Sequence, residues 1–192
     1  MRRQLVPALA VFLFFTVLVG VVYPLAVTGV AGIAFPSKSQ GSLVRRGNVV
    51  VGSRLIGQAF SGPRYFQSRP SAAGKGYDGA ASGASNLGPS NPLLLADVRA
   101  RAAAYRRFNG LAANTPVPVD AVTASASGLD PEISPTNARL QAPRVARARG
   151  LPLTQVLALI QSHTANRSLG FLGEPGVNVL ELNLAFDSVK GR

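Results

Sequence analysis

The sequence has no cysteine, no tryptophan and only one histidine among its 192 residues. Without cysteine there is no disulfide, no thiolate nucleophile and no cysteine-ligated zinc or iron–sulfur centre. A single histidine also excludes any site built from two or more histidines. Acidic residues are scarce as well: eight stand against 20 lysines and arginines, which gives a formal net charge of +12. Carboxylate chemistry therefore has few candidate residues.

A long apolar run occupies the N-terminal part of the sequence. Between Gln4 and Ser37 the only ionisable side chain is that of Tyr23. A membrane-spanning helix needs about 20 mainly apolar residues, whereas the apolar core of a cleaved signal peptide has about 7–15. The run therefore predicts a retained transmembrane helix over about residues 7–30, which Pro24 kinks or ends.

The charges that flank this run point in both directions. Arg2 and Arg3 before it favour a cytoplasmic N-terminus, whereas Lys38, Arg45 and Arg46 after it argue for the reverse. Because long domains cross the membrane largely regardless of charge, we predict a cytoplasmic N-terminus and a single pass. Residues 1–36 are then a membrane anchor, and residues 37–192 are an extracytoplasmic domain.

The pattern of residues 37–192 predicts an α+β domain with a small sheet and about three helices. Expected strands are a hairpin over residues 48–56 that turns at Gly52-Ser53, a strand over 117–123, and a half-buried strand over 177–187 with alternating leucines. Expected helices lie over 93–108, from Ser134 to Gly150, and over 153–160. Residues 61–92 form a long irregular loop, and loops of this length are usually functional or disordered.

The capping residues of the first two helices can be named. Asn91 is a suitable N-cap residue, with Pro92 at the first helical position, and Gly110 ends this first helix. Ser134 opens the second helix, which Pro143 should kink.

Catalytic motifs are missing from the sequence. Gly74-Lys75-Gly76 lacks the spacing and the hydroxyl residue of a phosphate-binding loop, and no Asp-Lys-Thr-Gly phosphorylation sequence is present. Ser127 could be a hydrolase nucleophile only if the distant His163 were its base. Asp130 and Glu132 could bind a metal or act as acid and base, although turn capping is the simpler role. No motif indicates nucleic-acid binding.

Six stretches resemble one family, the potassium-transporting ATPase C chain (KdpC) of bacteria. They occur in the family's order and span nearly the whole chain, and the N-terminal anchor fits too. The stretches are residues 52–58, 65–71, 85–92, 123–130, 141–149 and 177–184.

The resemblance implies a non-catalytic subunit of a high-affinity, ATP-driven potassium importer in the bacterial inner membrane. Its implied partners are a channel-like potassium-binding subunit (KdpA), a P-type ATPase subunit (KdpB) and a small accessory subunit (KdpF). The implied role is to stabilise their assembly, and the family has also been proposed to act as a catalytic chaperone that raises the ATP affinity of the ATPase subunit. No firmly bound cofactor is expected: ATP belongs to that family proposal, and K⁺ is the ion transported by the complex.

Candidate partner contacts come from two sources. Pairs of small residues in the apolar run let membrane helices approach closely, and the family-like turns carry polar and aromatic side chains. The candidates are Thr16, Gly20, Thr28, Gly32, Tyr65, Phe66, Arg69, Ser85, Asn86, Asn91, Ser125, Ser127 and Asp130. The alternative readings are a membrane-tethered extracytoplasmic ligand-binding protein and a hydrolase that uses Ser127.

Overall fold

The structure is a computed structural model that describes residues 2–189; of Arg2 it describes the backbone but not the side chain. The chain divides into two compact units, Met1–Leu43 and Val44–Arg192. Together they give the α+β class that the sequence predicts: one long apolar helix at the N-terminus, and a domain of small sheets and several helices.

The first unit is dominated by one helix, Arg3–Ala34, which is long and apolar enough to cross a membrane. At about 1.5 Å per residue its 32 residues exceed the thickness of the hydrocarbon core. It consists of α1 (Arg2–Val17), a π-helical turn (Leu18–Val22) and α2 (Tyr23–Ala34). The helix does not end at Pro24; its α-helical pattern is interrupted just before this proline. A short helix, α3 (Pro36–Ser39), follows.

The hairpin at the start of the second unit has a different register from the predicted one. Its strands are β1 (Leu43–Arg46) and β2 (Val49–Ser53), so the turn is Gly47-Asn48 and not Gly52-Ser53. Gly47 has φ +60°, which suits a two-residue hairpin turn. The sequence prediction was wrong because it chose the second of two plausible turns.

The predicted strand over 117–123 is also wrong. A 3-10 turn, Val119–Ala121, occupies this segment. Pro116 and Pro118 supply no N–H groups, so the segment cannot complete a ladder of backbone hydrogen bonds.

The two capped helices are confirmed. α4 (Pro92–Asn109) begins where Asn91 Oδ1 accepts a hydrogen bond from the Leu93 N–H, and it ends at Gly110 with φ +67°. α5 (Pro135–Arg149) begins at Ser134, continues through Pro143 and ends at Gly150 with φ +66°. The third helix, α6, spans Leu153–Ser162.

The last element is a helix, α7 (Val179–Ser188), where the sequence predicts a strand. Leu180, Leu182 and Phe186 fit an alternating pattern, but they also fall on a helical face with Val179 and Asn183, and all five are buried. Only three residues here are strand: β5 (Gly176–Asn178) lies between β3 (Glu132–Ile133) and β4 (Thr164–Ala165), antiparallel to both.

The domain core lies between α5, α6, α7 and this three-stranded sheet. It is built from fully or nearly fully buried apolar side chains. They are Phe66, Ile133, Ala138, Ala142, Val145, Ala146, Val156, Ile160, Val177, Val179, Leu182 and Phe186. Phe66, which comes from the long loop, stacks on Phe186 with ring centroids 5.5 Å apart. The long loop (residues 61–91) is therefore anchored in the core although it contains no helix or strand.

Candidate partner-binding surface

Helix α7 holds the long loop through a side-chain amide. Asn183 Oδ1 accepts a hydrogen bond from the Phe66 N–H at 2.8 Å, and its Nδ2 donates to the Phe66 carbonyl at 2.9 Å. Asn183 is 1% exposed. One buried amide thus takes the place of a neighbouring strand, because it satisfies both backbone groups of a loop residue.

Helix α5 repeats this arrangement one residue further along. Gln141 Oε1 accepts from the Gln67 N–H at 2.8 Å, and its Nε2 donates to the Gln67 carbonyl at 3.1 Å. The same amide also donates to Asn137 Oδ1 and accepts from Arg144. Because each side-chain nitrogen and oxygen of this buried network has at least one hydrogen-bond partner, the network favours one loop conformation.

Arg144 of α5 is a buried cation beneath the loop. It donates to the carbonyl oxygens of Pro63 and Tyr65, to Asn109 Oδ1 and to Gln141 Oε1. Burial lowers the pKa of Arg144 to about 10, which leaves it protonated at neutral pH. Its guanidinium also lies over the Phe108 ring, 4.4 Å from the centroid.

Arg149, at the end of α5, makes the outermost of these contacts. Its Nε donates to the Arg64 carbonyl at 2.7 Å, and its Nη2 pairs with Asp187 at 2.9 Å. The guanidinium lies over the rings of Tyr65 and Phe186. We call Asn183, Gln141, Arg144 and Arg149 the loop clamp. Together they bind the backbone of every residue from 63 to 67.

The clamp positions a charged pair just beyond it. Arg69 Nη1 lies 2.9 Å from Asp130 Oδ2, with 23% and 31% of the two side chains exposed. The Tyr77 hydroxyl donates to the Arg69 carbonyl at 2.6 Å, and burial raises the pKa of Tyr77. Asp130 Oδ1 also accepts from the Glu132 N–H, so it has the turn-capping role considered from the sequence.

The Ser125–Ser127 turn packs against the long loop. The Ser127 carbonyl accepts from the Gly83 N–H at 2.9 Å and from the Ser82 hydroxyl at 3.0 Å. Gly128 has φ +67°, and a β-carbon there would lie 2.5 Å from the Gly83 oxygen and 2.6 Å from the Ala73 nitrogen. The structure therefore brings together two of the segments that the sequence singled out.

The serine and histidine of the hydrolase alternative have other contacts. Ser127 Oγ accepts from the Leu129 N–H at 3.1 Å and lies 3.4 Å from Ser125 Oγ. His163 Nδ1 lies 2.9 Å from the Leu159 carbonyl at the end of α6. Within residues 2–189 no hydrogen bond joins Ser127 to His163, and no group of three acidic or histidine side chains could hold a metal.

The remaining loop candidates divide into buried and accessible residues. Phe66 is wholly buried, so its prediction as a partner contact is corrected: its ring fills the core. Tyr65 is half-buried beside Phe60. Asn91 is occupied as the cap of α4. Ser85 and Asn86 are exposed, and Asn86 has φ +53°.

The candidates in the anchor lie on an exposed helix. Thr16 Oγ donates to the Phe12 carbonyl of the same helix at 2.8 Å. Gly20 lies inside the π-helical turn, and Thr28 and Gly32 lie on α2. Apart from Ala31, which is half-buried, every described side chain from residue 3 to 34 is exposed.

Two surface features were not predicted from the sequence. The first is a cleft of about 420 Å³ between the long loop, α4 and α5, lined by Phe60, Tyr77, Tyr105 and Phe108 among others. The second is the apolar tip, which we define as Leu169, Phe171 and Leu172, exposed by 82%, 69% and 50%. The sequence signal was the Leu-Gly-Phe-Leu-Gly pattern, in which two glycines frame bulky apolar residues in a tight turn.

Comparison with known proteins covers nearly the whole chain. Residues 5–188 match the family described as "KdpC: K+-transporting ATPase, c chain". The chain is 60% identical over 187 residues to the potassium-transporting ATPase KdpC subunit of Mycobacterium tuberculosis (strain ATCC 25618 / H37Rv), which covers 97% of this chain and 99% of that protein. It is 56% identical over 190 residues to the KdpC subunit of Caulobacter vibrioides (strain NA1000 / CB15N), with 98% and 94% covered. A third relative, the KdpC subunit of Rhodospirillum rubrum, is 55% identical over 187 residues, with 97% and 96% covered. The chain therefore belongs to the KdpC family, the c chains of the K⁺-transporting ATPase.

Proposed function

We propose that this KdpC subunit is a non-catalytic assembly subunit, which holds the channel-like subunit (KdpA) and the P-type ATPase subunit (KdpB) together with the small subunit (KdpF). The observation that carries this proposal is the helix Arg3–Ala34, which is apolar along its length and buries almost none of its side chains within the chain. A bilayer and the helices of membrane partners would cover such a surface.

The loop clamp supports the same role for the domain. It uses buried charge and amide groups to fix an irregular loop, so the loop presents a preformed surface rather than a mobile segment. Exposed Ser85 and Asn86 on this loop, and the apolar tip on the β4–β5 connection, are the surfaces that we assign to partner contact.

The anchor is expected to be retained, with a cytoplasmic N-terminus and the domain outside the plasma membrane. Cysteine labelling can test this, because the chain has no native cysteine. Lys75→Cys on the exposed loop should react with a membrane-impermeant maleimide in cells with a permeabilised outer membrane. Gln4→Cys should react only after the inner membrane is opened. The reverse pattern would overturn the orientation, and recovery of a free chain that begins after residue 35 would overturn retention.

The orientation determines how a KdpC subunit could raise the ATP affinity of the ATPase subunit, as proposed for the family. In the extracytoplasmic orientation, the domain would act on cytoplasmic nucleotide only through the partner's membrane helices. No firmly bound cofactor is proposed for this chain, and K⁺ is proposed as the ion carried by the complex. A cytoplasmic domain in the labelling experiment would instead favour direct contact with nucleotide.

Assembly can be tested by co-purification of the tagged full-length chain with its companions. Asn86→Gly, which suits the φ of +53° at this position, and Phe171→Ser should each lower recovery of the larger subunits by several-fold, because both side chains are exposed and make no core contact. Asn114→Ala, an exposed change elsewhere in the domain, is the matched control. Full recovery with both variants would leave the long loop and the apolar tip without the proposed role.

A further inference from the structure

We infer that the π-helical turn of the anchor is a docking site for a hydrogen-bond donor on a transmembrane helix of a companion subunit. The inference rests on the proposed assembly function and adds the site and the chemistry of one contact. It concerns the backbone carbonyl of Val19, next to Gly20 and one turn before Pro24.

The backbone pattern of the turn leaves this carbonyl without a donor from its own helix. In a π-helix each N–H bonds to the carbonyl five residues earlier, and the Tyr23 N–H does bond to the Leu18 oxygen. The Tyr23 N–H would be the donor to Val19 in a regular α-helix. The alternative donor, five residues on, would be Pro24, which has no N–H. The Val22 N–H is directed to Val17 by the same pattern.

Neighbouring side chains of the anchor do not supply the missing donor to the Val19 carbonyl. The nearest hydroxyl on the preceding turn, Thr16 Oγ, donates to the Phe12 carbonyl at 2.8 Å. Gly20 has no side chain, and a β-carbon placed on it would meet nothing within 4 Å. The side chain nearest this carbonyl is that of Tyr23, because helical side chains project back toward the preceding turn, and Tyr23 is 63% exposed.

The position along the helix decides what can donate to this carbonyl. Val19 is near the middle of the span Arg3–Ala34, where the surrounding hydrocarbon offers no hydrogen bond. Backbone groups freed by proline in membrane helices are re-satisfied by neighbouring helices, Ser/Thr side chains, ordered waters or local 3-10 and π adjustments. Here the π-helical turn is itself such an adjustment, and its pattern still leaves the Val19 carbonyl without a donor. The chain belongs to a family of subunits of a larger transporter. We therefore assign the site to a serine, threonine, asparagine or glutamine on a companion helix.

The test uses the full-length tagged chain, co-expressed with the other subunits and purified in mild detergent. Pro24→Ala restores an N–H and lets the helix satisfy its own carbonyls; it should lower recovery of the companions at least fivefold. Pro7→Ala, at the other proline inside the anchor helix, is the matched control and should stay within twofold of the unmodified chain.

A second pair of variants blocks access without changing the proline. Gly20→Leu adds bulk on the turn that carries the Val19 carbonyl, which should hold a companion helix away and also lower recovery at least fivefold. Gly29→Leu adds the same bulk where the helix is equally open and should have little effect. If Pro24→Ala fails to insert, as judged by alkaline extraction of membranes, the glycine pair carries the test.

A third pair of variants separates the effect of the hydrogen bond on recovery from the effect of packing. Serine can donate to the carbonyl four residues earlier in a helix. Tyr23→Ser therefore supplies Val19 with a donor from its own chain, whereas Tyr23→Ala truncates the side chain and supplies none. Recovery should be lower for Tyr23→Ser than for Tyr23→Ala. Equal recovery of the companion subunits with these two variants would overturn the inferred hydrogen bond to Val19.

The neighbour can be identified by crosslinking from Val21→Cys, which is the only cysteine in that chain. A crosslink to a companion subunit supports the inference, and a crosslink between two copies of this chain overturns it. Unchanged recovery with both Pro24→Ala and Gly20→Leu also overturns it while leaving the proposed assembly function intact. Failure of the unmodified chain to recover any companion overturns both.

Discussion

The backbone N–H and C=O groups of the anchor helix and of the long loop find their hydrogen-bond partners in opposite ways. In the helix the partners are a few residues away along the same segment, and the one interruption is the turn at Leu18–Val22. In the long loop, residues 63–67 bond to side chains between 74 and 117 positions later in the sequence. Apart from the Val19 carbonyl, the helix therefore needs only its own sequence and a bilayer, whereas the loop needs a finished domain. The first can be predicted locally, and the second cannot.

The strongest test of this comparison removes the guanidinium of Arg144 from the loop clamp. Arg144→Met should lower the free energy of unfolding of the domain by at least about 3 kcal/mol, because each stranded buried acceptor costs about 1–3 kcal/mol. Urea denaturation of the full-length chain in detergent measures this. Arg147→Met, an exposed change on the same helix, should stay within about 0.5 kcal/mol. A small effect at Arg144 would show that the loop does not depend on the clamp.

Loss of the amide on α7 should have the next largest effect. Asn183→Leu keeps the number and branching of the side-chain heavy atoms but leaves the Phe66 N–H and carbonyl unpaired in the core, at a cost of about 2–4 kcal/mol. The same denaturation measurement applies, with exposed Asn114→Leu as the control. Hydrogen exchange at the Phe66 amide should also rise sharply. Continued protection of that amide would contradict the proposed replacement of a strand by a side chain.

Two glycines separate backbone strain from close packing against the loop. Gly128 and Gly150 have φ of +67° and +66°, but only Gly128 is crowded by loop backbone. Gly150→Ala should cost about 1 kcal/mol from its φ alone. Gly128→Ala should cost about 2–3 kcal/mol, because overpacking adds to the strain. Thermal denaturation of the two variants side by side compares them, and equal losses would mean that the turn and the loop are not in tight contact.

The smallest expected effect concerns pH. Burial, together with the Asp120 carboxylate, raises the pKa of Tyr105 well above its ordinary value of 10.0. A raised folded-state pKa means that the stability from this phenol is complete below about pH 10 and is lost progressively above it. Tyr105→Phe should cost about 1 kcal/mol at pH 7, and it should weaken the loss of stability above pH 10. Parallel alkaline denaturation curves for the two proteins would contradict this.

The sequence predicted those features whose signals are local. Asn91, Ser134, Gly110 and Gly150 mark helix ends because capping depends on a few adjacent backbone groups. The apolar run predicted the long helix for the same reason. The π-helical turn before Pro24 is local too, but the proline signalled only an interruption and not its form.

Errors arose where one local pattern fits two structures. The alternating leucines of α7 also suit a helical face, and only packing against α6 and β5 decides between them. The clamp was missed for a different reason. Residues 65–71 and 141–149 were both singled out, yet no local rule pairs Gln67 with Gln141. Their juxtaposition depends on the tertiary fold.

The position of α7 in the chain has a consequence for biosynthesis. This helix supplies Leu182 and Phe186 to the core and Asn183 to the clamp, so the domain lacks its closing element until residue 188 has been synthesised. A polypeptide that stops before α7 lacks Phe186 and Asn183, so the ring and the backbone of Phe66 have lost their partners in this helix. Folding of the domain therefore has to wait until α7 has been synthesised, and a chain terminated before this helix should be a substrate for quality-control proteases.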